Sequence, residues 1–360
     1  MKRTLALVLV CLMSLALLPA SAEEPAVTGK VTEIEKYGHA LLDITIEDFN
    51  AAGFALGDIV TVTAGTFTGD MPYFNGYYVD RGEYMVRAYP GHTNIAVCIN
   101  YGKFAETAGI GVGDTVTIAL KEKGGALTLQ EISNLVYTNE RADYASDAVF
   151  ANFRPVAEGK LYRSASPVDN QFQRAAYADA LIQEAGVQTV MNMANTEEEI
   201  SVCFAGEGFN SPYYKGLYDA GNVIVLGLPI NFDSDEFGEG IVKGFAFLAA
   251  HDTPYLVHCT EGKDRAGFAS MVLEALMGWS EQEIVADYMT SYENYYGIEP
   301  GTEKYDMIAE KNIAGMLRSM AGVEAGTSLE GVDLQAAARD YLTRHGMTED
   351  ALKTLEEKLR

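Results

Sequence analysis

The chain has 360 residues, 48% of them hydrophobic, and a formal net charge of −25. That length exceeds one ordinary compact core and implies two domains, and the composition excludes a disordered or membrane-embedded chain. So acidic a surface repels nucleic acid and anionic membranes at long range, so neither is expected as a partner; a highly anionic substrate would need a locally basic site.

Residues 1–22 read as an export signal. Lys2 and Arg3 form the basic start, Thr4 to Leu18 the apolar run, and Ala20-Ser21-Ala22 the small-residue cleavage site. The run is short for a bilayer span, so removal is expected, giving a secreted or cell-envelope protein with no retained membrane span. Cys11 follows Val10 rather than a small residue, which disfavours lipoprotein processing. Cys98, Cys203 and Cys259 then remain, too few and too odd for a disulfide framework. Cys98 and Cys203 lie in apolar sequence and read as buried, inert thiols.

From residue 25 to 137 short alternating segments are punctuated by Gly, Asp and Asn: Gly29–Ile34, Ile59–Thr63, Tyr84–Ala88, Asn94–Cys98 and Thr115–Ala119. Such alternation indicates β-strands, and this many indicate a small barrel or sandwich. Leu56-Gly57-Asp58 and Val112-Gly113-Asp114 each precede a Val-Thr strand and look like equivalent turns. The segment resembles the C-terminal β-barrel domain of the S-adenosylmethionine hydroxide adenosyltransferase family, through Gly29 to Gly38, Asn94 to Val97 and Gly113 to Val116. That family's catalytic domain is absent, so the resemblance implies a binding or spacer module of unknown ligand and no adenosyl chemistry.

Residues 138–151 are polar and irregular and read as a linker. Beyond them, from 152 to 360, apolar strands Thr189–Met193, Val223–Leu226 and Tyr255–Val257 alternate with helical stretches around Phe172–Glu184, Glu239–Ala250 and Asp264–Met277, an α/β pattern. After Gly278 the pattern is helical: Ser280 and Glu283 form a capping box, another helix starts around Gly331–Leu334, and Thr348 caps the last. The expected architecture is therefore multidomain: a small N-terminal β-barrel, then an α/β domain with a helical C-terminal extension.

The chemistry concentrates between the strand at Tyr255 and the helix at Phe268, in His258-Cys-Thr-Glu-Gly-Lys-Asp-Arg-Ala-Gly267. A tight turn there aims backbone N–H groups inward as an anion nest at a helix N-terminus. Gly262 permits the bend. Arg265 can grip two phosphate oxygens with its fork, and the positive field favours the thiolate of Cys259. Cys259 is thus the candidate nucleophile and Arg265 the clamp, with Thr260, Glu261, Gly262 and Lys263 lining the phosphate. Attack at phosphorus gives a phosphocysteine that water hydrolyses. The leaving-group acid is either Asp264, which also suits a helix cap, or one of Asp233 and Asp235 on the turn Asn231 to Glu236. His258 is expected to order the loop. Arg163 reaches the pocket or forms a structural ion pair, and Tyr288, Tyr292, Tyr295 and Tyr296 share one helix face, either as core or as a phosphotyrosine rim. The remaining histidines show no ligand spacing, so no metal or cofactor is expected.

This half resembles the bacterial tyrosine phosphatase family with the HCxxGKDR loop, which includes dual-specificity and phosphoinositide-hydrolysing members. Leu161–Ala165, Gly186–Val190, Ala286-Asp287-Tyr288 and Ala336–Leu342 extend the likeness. It implies Cys259 as nucleophile, Lys263 as substrate contact, Asp264 as acid and Arg265 as clamp. Two departures stand out: Ala266 replaces a Thr or Ser whose hydroxyl stabilises the departing thiolate, and Asn192-Met-Ala194 replaces an Asp-Leu-Arg. The expected activity is a protein-tyrosine or dual-specificity phosphomonoesterase acting on a phosphorylated protein or small phosphomonoester. The alternatives are an inositol-phosphate or phosphoinositide phosphatase and a low-turnover phosphate-binding or adhesion module.

Overall fold

Short strand-forming runs fill the first third of the chain, valine or isoleucine alternating with threonine in Ile59–Thr63 and Thr115–Ile118, and each run is long enough to place one face inside a closed sheet. In the computed structural model, which describes residues 24–360, these runs form a seven-stranded closed barrel. Its strands are Ala26–Ile34 (β1), Ala40–Thr45 (β2), Ile59–Ala64 (β3), Phe67–Phe74 (β4), Tyr84–Arg87 (β5), Asn94–Ile99 (β6) and Thr115–Glu122 (β7), in the order β1-β2-β6-β5-β4-β3-β7. The barrel closes by antiparallel pairing of β7 with β1. Val60, Val62, Val116 and Ile118 point inward and are fully buried. The short helices Ile46–Ala51 (α1) and Phe104–Ala108 (α2) lie between strands, and Leu127–Ile132 (α3) follows them. The export signal lies outside the described residues.

The two expected turns are equivalent. Gly57 and Gly113 have φ of 90° and 94°, a region that favours glycine. Asp58 Oδ2 accepts the Ala55 amide at 2.7 Å, and Asp114 Oδ2 accepts the Gly111 amide at 2.8 Å. The strands that follow, β3 and β7, pair with each other.

The chain divides into two compact units after Gln130. The stretch 138–151, expected as a linker, is instead part of the second unit. Tyr144 and Phe150 are buried there, and Arg174 donates to Thr138 O, Asn139 Oδ1, Tyr144 Oη and Phe150 O. Glu140, Asp143 and Asp147 of this segment are exposed, while Tyr144, Asn139 and the carbonyls of Thr138 and Phe150 turn inward to the guanidinium.

The second unit holds the strands Arg154–Ala157 (β8), Leu161–Ser164 (β9), Thr189–Asn192 (β10), Val223–Val225 (β11) and Tyr255–His258 (β12), ordered β11-β10-β12-β9-β8. All neighbours are parallel except β8 with β9. Its helices are Asp147–Phe150 (α4), Ala175–Glu184 (α5), Glu197–Ala205 (α6), Pro212–Asp219 (α7), Asp235–Ala250 (α8), Asp264–Leu276 (α9), Glu281–Tyr296 (α10), Glu303–Ala309 (α11), Gly315–Ala321 (α12), Leu334–Arg344 (α13) and Glu349–Leu359 (α14). The capping box at Ser280 and Glu283 and the cap at Thr348 form as the sequence indicates, and the helix expected around Gly331–Leu334 starts at Leu334, capped by Asp333. Every residue of α9 from Ala266 to Leu276 is buried, so this helix runs through the core. Cys98 is buried, and burial pushes its thiol up to about 12; Cys203, expected to be buried, is only half-buried. No helix among the described residues is long and apolar enough to cross a membrane.

Asp58 is 1% exposed and also accepts the Gly124 amide and Lys123 Nζ, whereas Asp114 is exposed. Asp58→Ala therefore leaves the part-buried Ala55 and Gly124 amides without their acceptor and is expected to cost the barrel about 1–3 kcal/mol in urea denaturation, and Asp114→Ala clearly less.

Candidate active site

Strand β12 sits in the middle of the sheet with β10 on one side and β9 on the other, and its C-terminal end delivers Cys259 into a turn that opens α9. Gly262 makes the turn possible: its φ is 70°, and a Cβ there would lie 2.3 Å from the Ser164 carbonyl carbon.

The carbonyls of this turn are tied outward one after another. Cys259 O faces His258 Nδ1 at 3.4 Å and Thr260 O accepts the Ser166 amide at 3.1 Å. Glu261 O accepts the Tyr295 hydroxyl at 2.6 Å and Asn152 Nδ2 at 3.2 Å. Gly262 O and Lys263 O accept Arg163 Nη2 at 2.9 and 3.1 Å. A trans peptide sends its N–H opposite to its C=O. Anchoring the carbonyls of residues 260–263 therefore turns the amides of Glu261, Gly262, Lys263 and Asp264 to the other side. Among the described residues none of these amides has a backbone or side-chain acceptor. Four free donors converging beside a thiol at a helix N-terminus form an anion nest.

Arg265 completes the nest. Its Nη1 donates to Met193 O, Ala194 O and Leu228 O at 3.0–3.4 Å, and its Nη2 donates to Thr260 Oγ1 at 3.0 Å. Its Nε is buried and has no hydrogen-bond partner among the described residues. One edge of the fork is thus fixed by carbonyls, while Nε–H and one Nη2 N–H are left to grip an oxyanion in two places. Asn192 holds the segment that supplies two of those carbonyls, accepting the amides of Ala194 and Asn195. The Asn192-Met-Ala194 departure therefore serves the clamp through its backbone.

Arg163 is fully buried and pairs with Asp287 at 2.5 Å; Arg154 holds the same carboxylate at 2.7 Å. Arg163 is thus a brace for the loop. Burial alone would push the Asp287 carboxyl up, but Arg154 and Arg163 outweigh it and hold the group well below the usual carboxylate range. Glu274, buried in α9, is raised well above its ordinary value by burial and by the neighbouring Asp287 charge. His258 is fully buried and burial lowers it to about 3, so it stays neutral and orders the loop.

The two locations for an acid separate clearly. Asp264 opens α9 beside the nest, receives the Tyr288 hydroxyl at 3.4 Å, and is raised by burial, with Lys263 opposing and Glu261 adding to the rise. Asp233 instead accepts the Ser319 hydroxyl at 2.5 Å, and Asp235 is 97% exposed near His345, so the hydrogen bonds and ion pairs of these two carboxylates lead away from the loop. The tyrosines of α10 both pack and touch the loop: Tyr288 meets Asp264, Tyr295 meets Glu261 O, and Tyr296 accepts from Lys263 Nζ at 3.3 Å. Sequence reading missed Tyr137, Asn152, Arg154 and Glu274. Only Ala286-Asp287-Tyr288 carried a signal, as part of the family likeness. No cluster of metal-ligating side chains occurs among the described residues.

Comparison with known proteins covers this half of the chain. Residues 230–360 match the tyrosine phosphatase family. A Cupriavidus necator protein named "Putative tyrosine-protein phosphatase" is 31% identical over 159 residues, covering 39% of this chain and 56% of that protein. The chain thus spans a little over half the length of this curated relative. Among solved structures, the core catalytic domain of the Saccharomyces cerevisiae PP-IP phosphatase SIW14 is 18% identical, covering 53% of this chain and 94% of that one, with a TM-score of 0.29. Pseudomonas aeruginosa TpbA is 20% identical, covering 52% and 96%, with a TM-score of 0.28.

Asp287→Ala leaves two buried guanidiniums unpaired and is expected to destabilise the second unit by about 3–5 kcal/mol in thermal or urea denaturation. Because the Asp287 pKa is depressed, its contribution is complete above the unfolded carboxyl value of about 3.9 and is lost as pH falls through the folded value. The gap between wild type and Asp287→Ala therefore closes in acid. Glu274→Gln, which keeps a donor facing Asp287, is expected to change neutral-pH stability by much less.

Proposed function

We propose that this protein is a cysteine-dependent phosphomonoesterase of the protein-tyrosine or dual-specificity type, exported to the cell envelope or medium. The observation that carries the reading is Arg265, pinned along one edge by three carbonyls while its buried Nε has no partner, facing a turn whose free amides surround Cys259. The family match across the loop supports it. The Cys259 thiolate attacks phosphorus in line, a sulfur–phosphorus bond forms and the ester oxygen departs with the proton of Asp264. Water then attacks the phosphocysteine, returning the proton to Asp264 and releasing phosphate. The amides of residues 261–264 and Arg265 stabilise charge on the equatorial oxygens throughout. The substrate is a phosphorylated protein or a small phosphomonoester, and the barrel is read as a binding or spacer module.

A low-turnover phosphate-binding role draws support from one position. Ala266 is fully buried at the start of α9 and offers only a methyl group where a hydroxyl would stabilise the departing thiolate. The second step is therefore expected to be slow. Para-nitrophenyl phosphate should give a burst of nitrophenol, and Ala266→Ser should raise steady-state kcat roughly tenfold, as one hydrogen bond to a charged group is worth about 1.5–3 kcal/mol. Absence of both the burst and the gain would remove this second reading.

Cys259→Ser is expected to abolish turnover while retaining phosphate binding; an unchanged rate would refute the nucleophile. Asp264→Asn should lower kcat/KM about 100-fold or more on a phosphotyrosine peptide and much less on a substrate with a good leaving group. Since Asp264 must be protonated to act, and its pKa is raised, wild-type kcat/KM should fall as pH rises through that value, and the variant should lack this limb.

A further inference from the structure

Glu261 stands inside a loop built to hold an anion, where a carboxylate works against binding. The fold holds it firmly. Its Oε1 accepts a very short hydrogen bond from the Tyr137 hydroxyl, and its Oε2 lies 3.4 Å from Lys263 Nζ. Tyr137 is itself fixed: its ring stacks on Tyr295 at 4.9 Å and lies 5.0 Å from the Arg174 guanidinium. Arg174 is buried and also bonds the next two residues, at Thr138 O and Asn139 Oδ1. The segment that delivers Tyr137 is thus anchored to the same unit as the loop.

The other partner of Glu261 is equally constrained. Lys263 Nζ has Asp264 Oδ2 at 4.0 Å and the rings of Tyr292 and Tyr296 at 5.4 and 5.5 Å. Its side chain is only 12% exposed. The Glu261 carboxylate, the Asp264 carboxyl and two aromatic faces therefore surround one ammonium, and Arg265 is left as the loop's uncommitted cation. A substrate with one phosphate needs only that. A second phosphate beside the first meets Glu261 and an ammonium whose charge is already matched.

We propose that Glu261, clamped by Tyr137, is a specificity-determining residue: it neutralises Lys263 and excludes substrates carrying a second phosphate next to the one in the loop. The inference rests on reading residues 259–265 as a phosphate site, and it names the substrate class of that site as singly phosphorylated. The pair Tyr137–Glu261 does at the rim what Arg163 does beneath the loop, fixing a charge so that its sign counts.

The test is a binding measurement in the full chain carrying Cys259→Ser, by calorimetry, with inorganic phosphate and inositol hexakisphosphate as probes. Adding Glu261→Gln, which removes the charge and keeps the shape, should raise the affinity ratio of hexakisphosphate to phosphate at least tenfold, with the gain shrinking at high salt. Adding Lys263→Gln as well should cancel the gain, because the freed ammonium is its source. Phosphate binding with an unchanged ratio, or a gain that survives Lys263→Gln, overturns this inference alone. Failure of Cys259→Ser to bind either probe overturns the reading of the loop, and the inference with it.

Discussion

The site depends on one buried guanidinium. Arg163 lies beneath the turn and takes the carbonyls of Gly262 and Lys263, while Asp287 and, through it, Arg154 keep its charge matched in the core. Without that pairing an isolated buried charge would be costly, and the loop would lose the anchor that turns its peptide planes. With it, the free amides converge on one side and α9 starts under them. Gly262 is the steric counterpart: only a residue without Cβ lets the turn approach Ser164 closely enough for Arg163 to reach it.

Charge in this protein is organised at two scales. The chain as a whole carries −25, yet the nest is lined by donors and one free guanidinium edge. Short-range hydrogen-bond donors dominate within a few ångströms in a partly desolvated pocket, whereas the net charge acts on long-range approach and is screened by salt. Glu261 and Asp264 sit at the boundary between the two regimes. Burial of Asp264 beside Glu261 favours its protonated form, which suits an acid and keeps the pocket mouth from becoming strongly anionic.

The turn from His258 to Gly267 was legible because its parts are contiguous: a buried strand, a cysteine, a mid-loop glycine and an arginine at the head of a helix occupy adjacent positions. The caps at Ser280 and Thr348 and the glycine turns at Gly57 and Gly113 were legible for the same reason. Residues 138–151 were misread because exposed Glu140, Asp143 and Asp147 give the composition of a linker, whereas the carbonyls of Thr138 and Phe150 that hold the buried Arg174 leave no mark on composition. Helices α6 and α7 and strands β2 and β4 went unread, their apolar residues being too few or too irregularly spaced to declare a period.

What the sequence by itself determined is therefore local: a tight turn between a strand and a helix that carries Cys259 and Arg265, and a change of period separating a β-rich part from an α/β part. The tertiary structure decided what the turn leans on. Arg163 and Asp287 are 124 positions apart, as are Tyr137 and Glu261, and nothing in local spacing links them. It also placed the two candidate acids in different surroundings, which their similar local sequence does not distinguish: Asp264 lies at the head of α9 beside the turn, whereas Asp233 bonds the Ser319 hydroxyl. Backbone conformation is set largely by neighbours in sequence, whereas burial, and with it the pairing of charge, is set by neighbours in space.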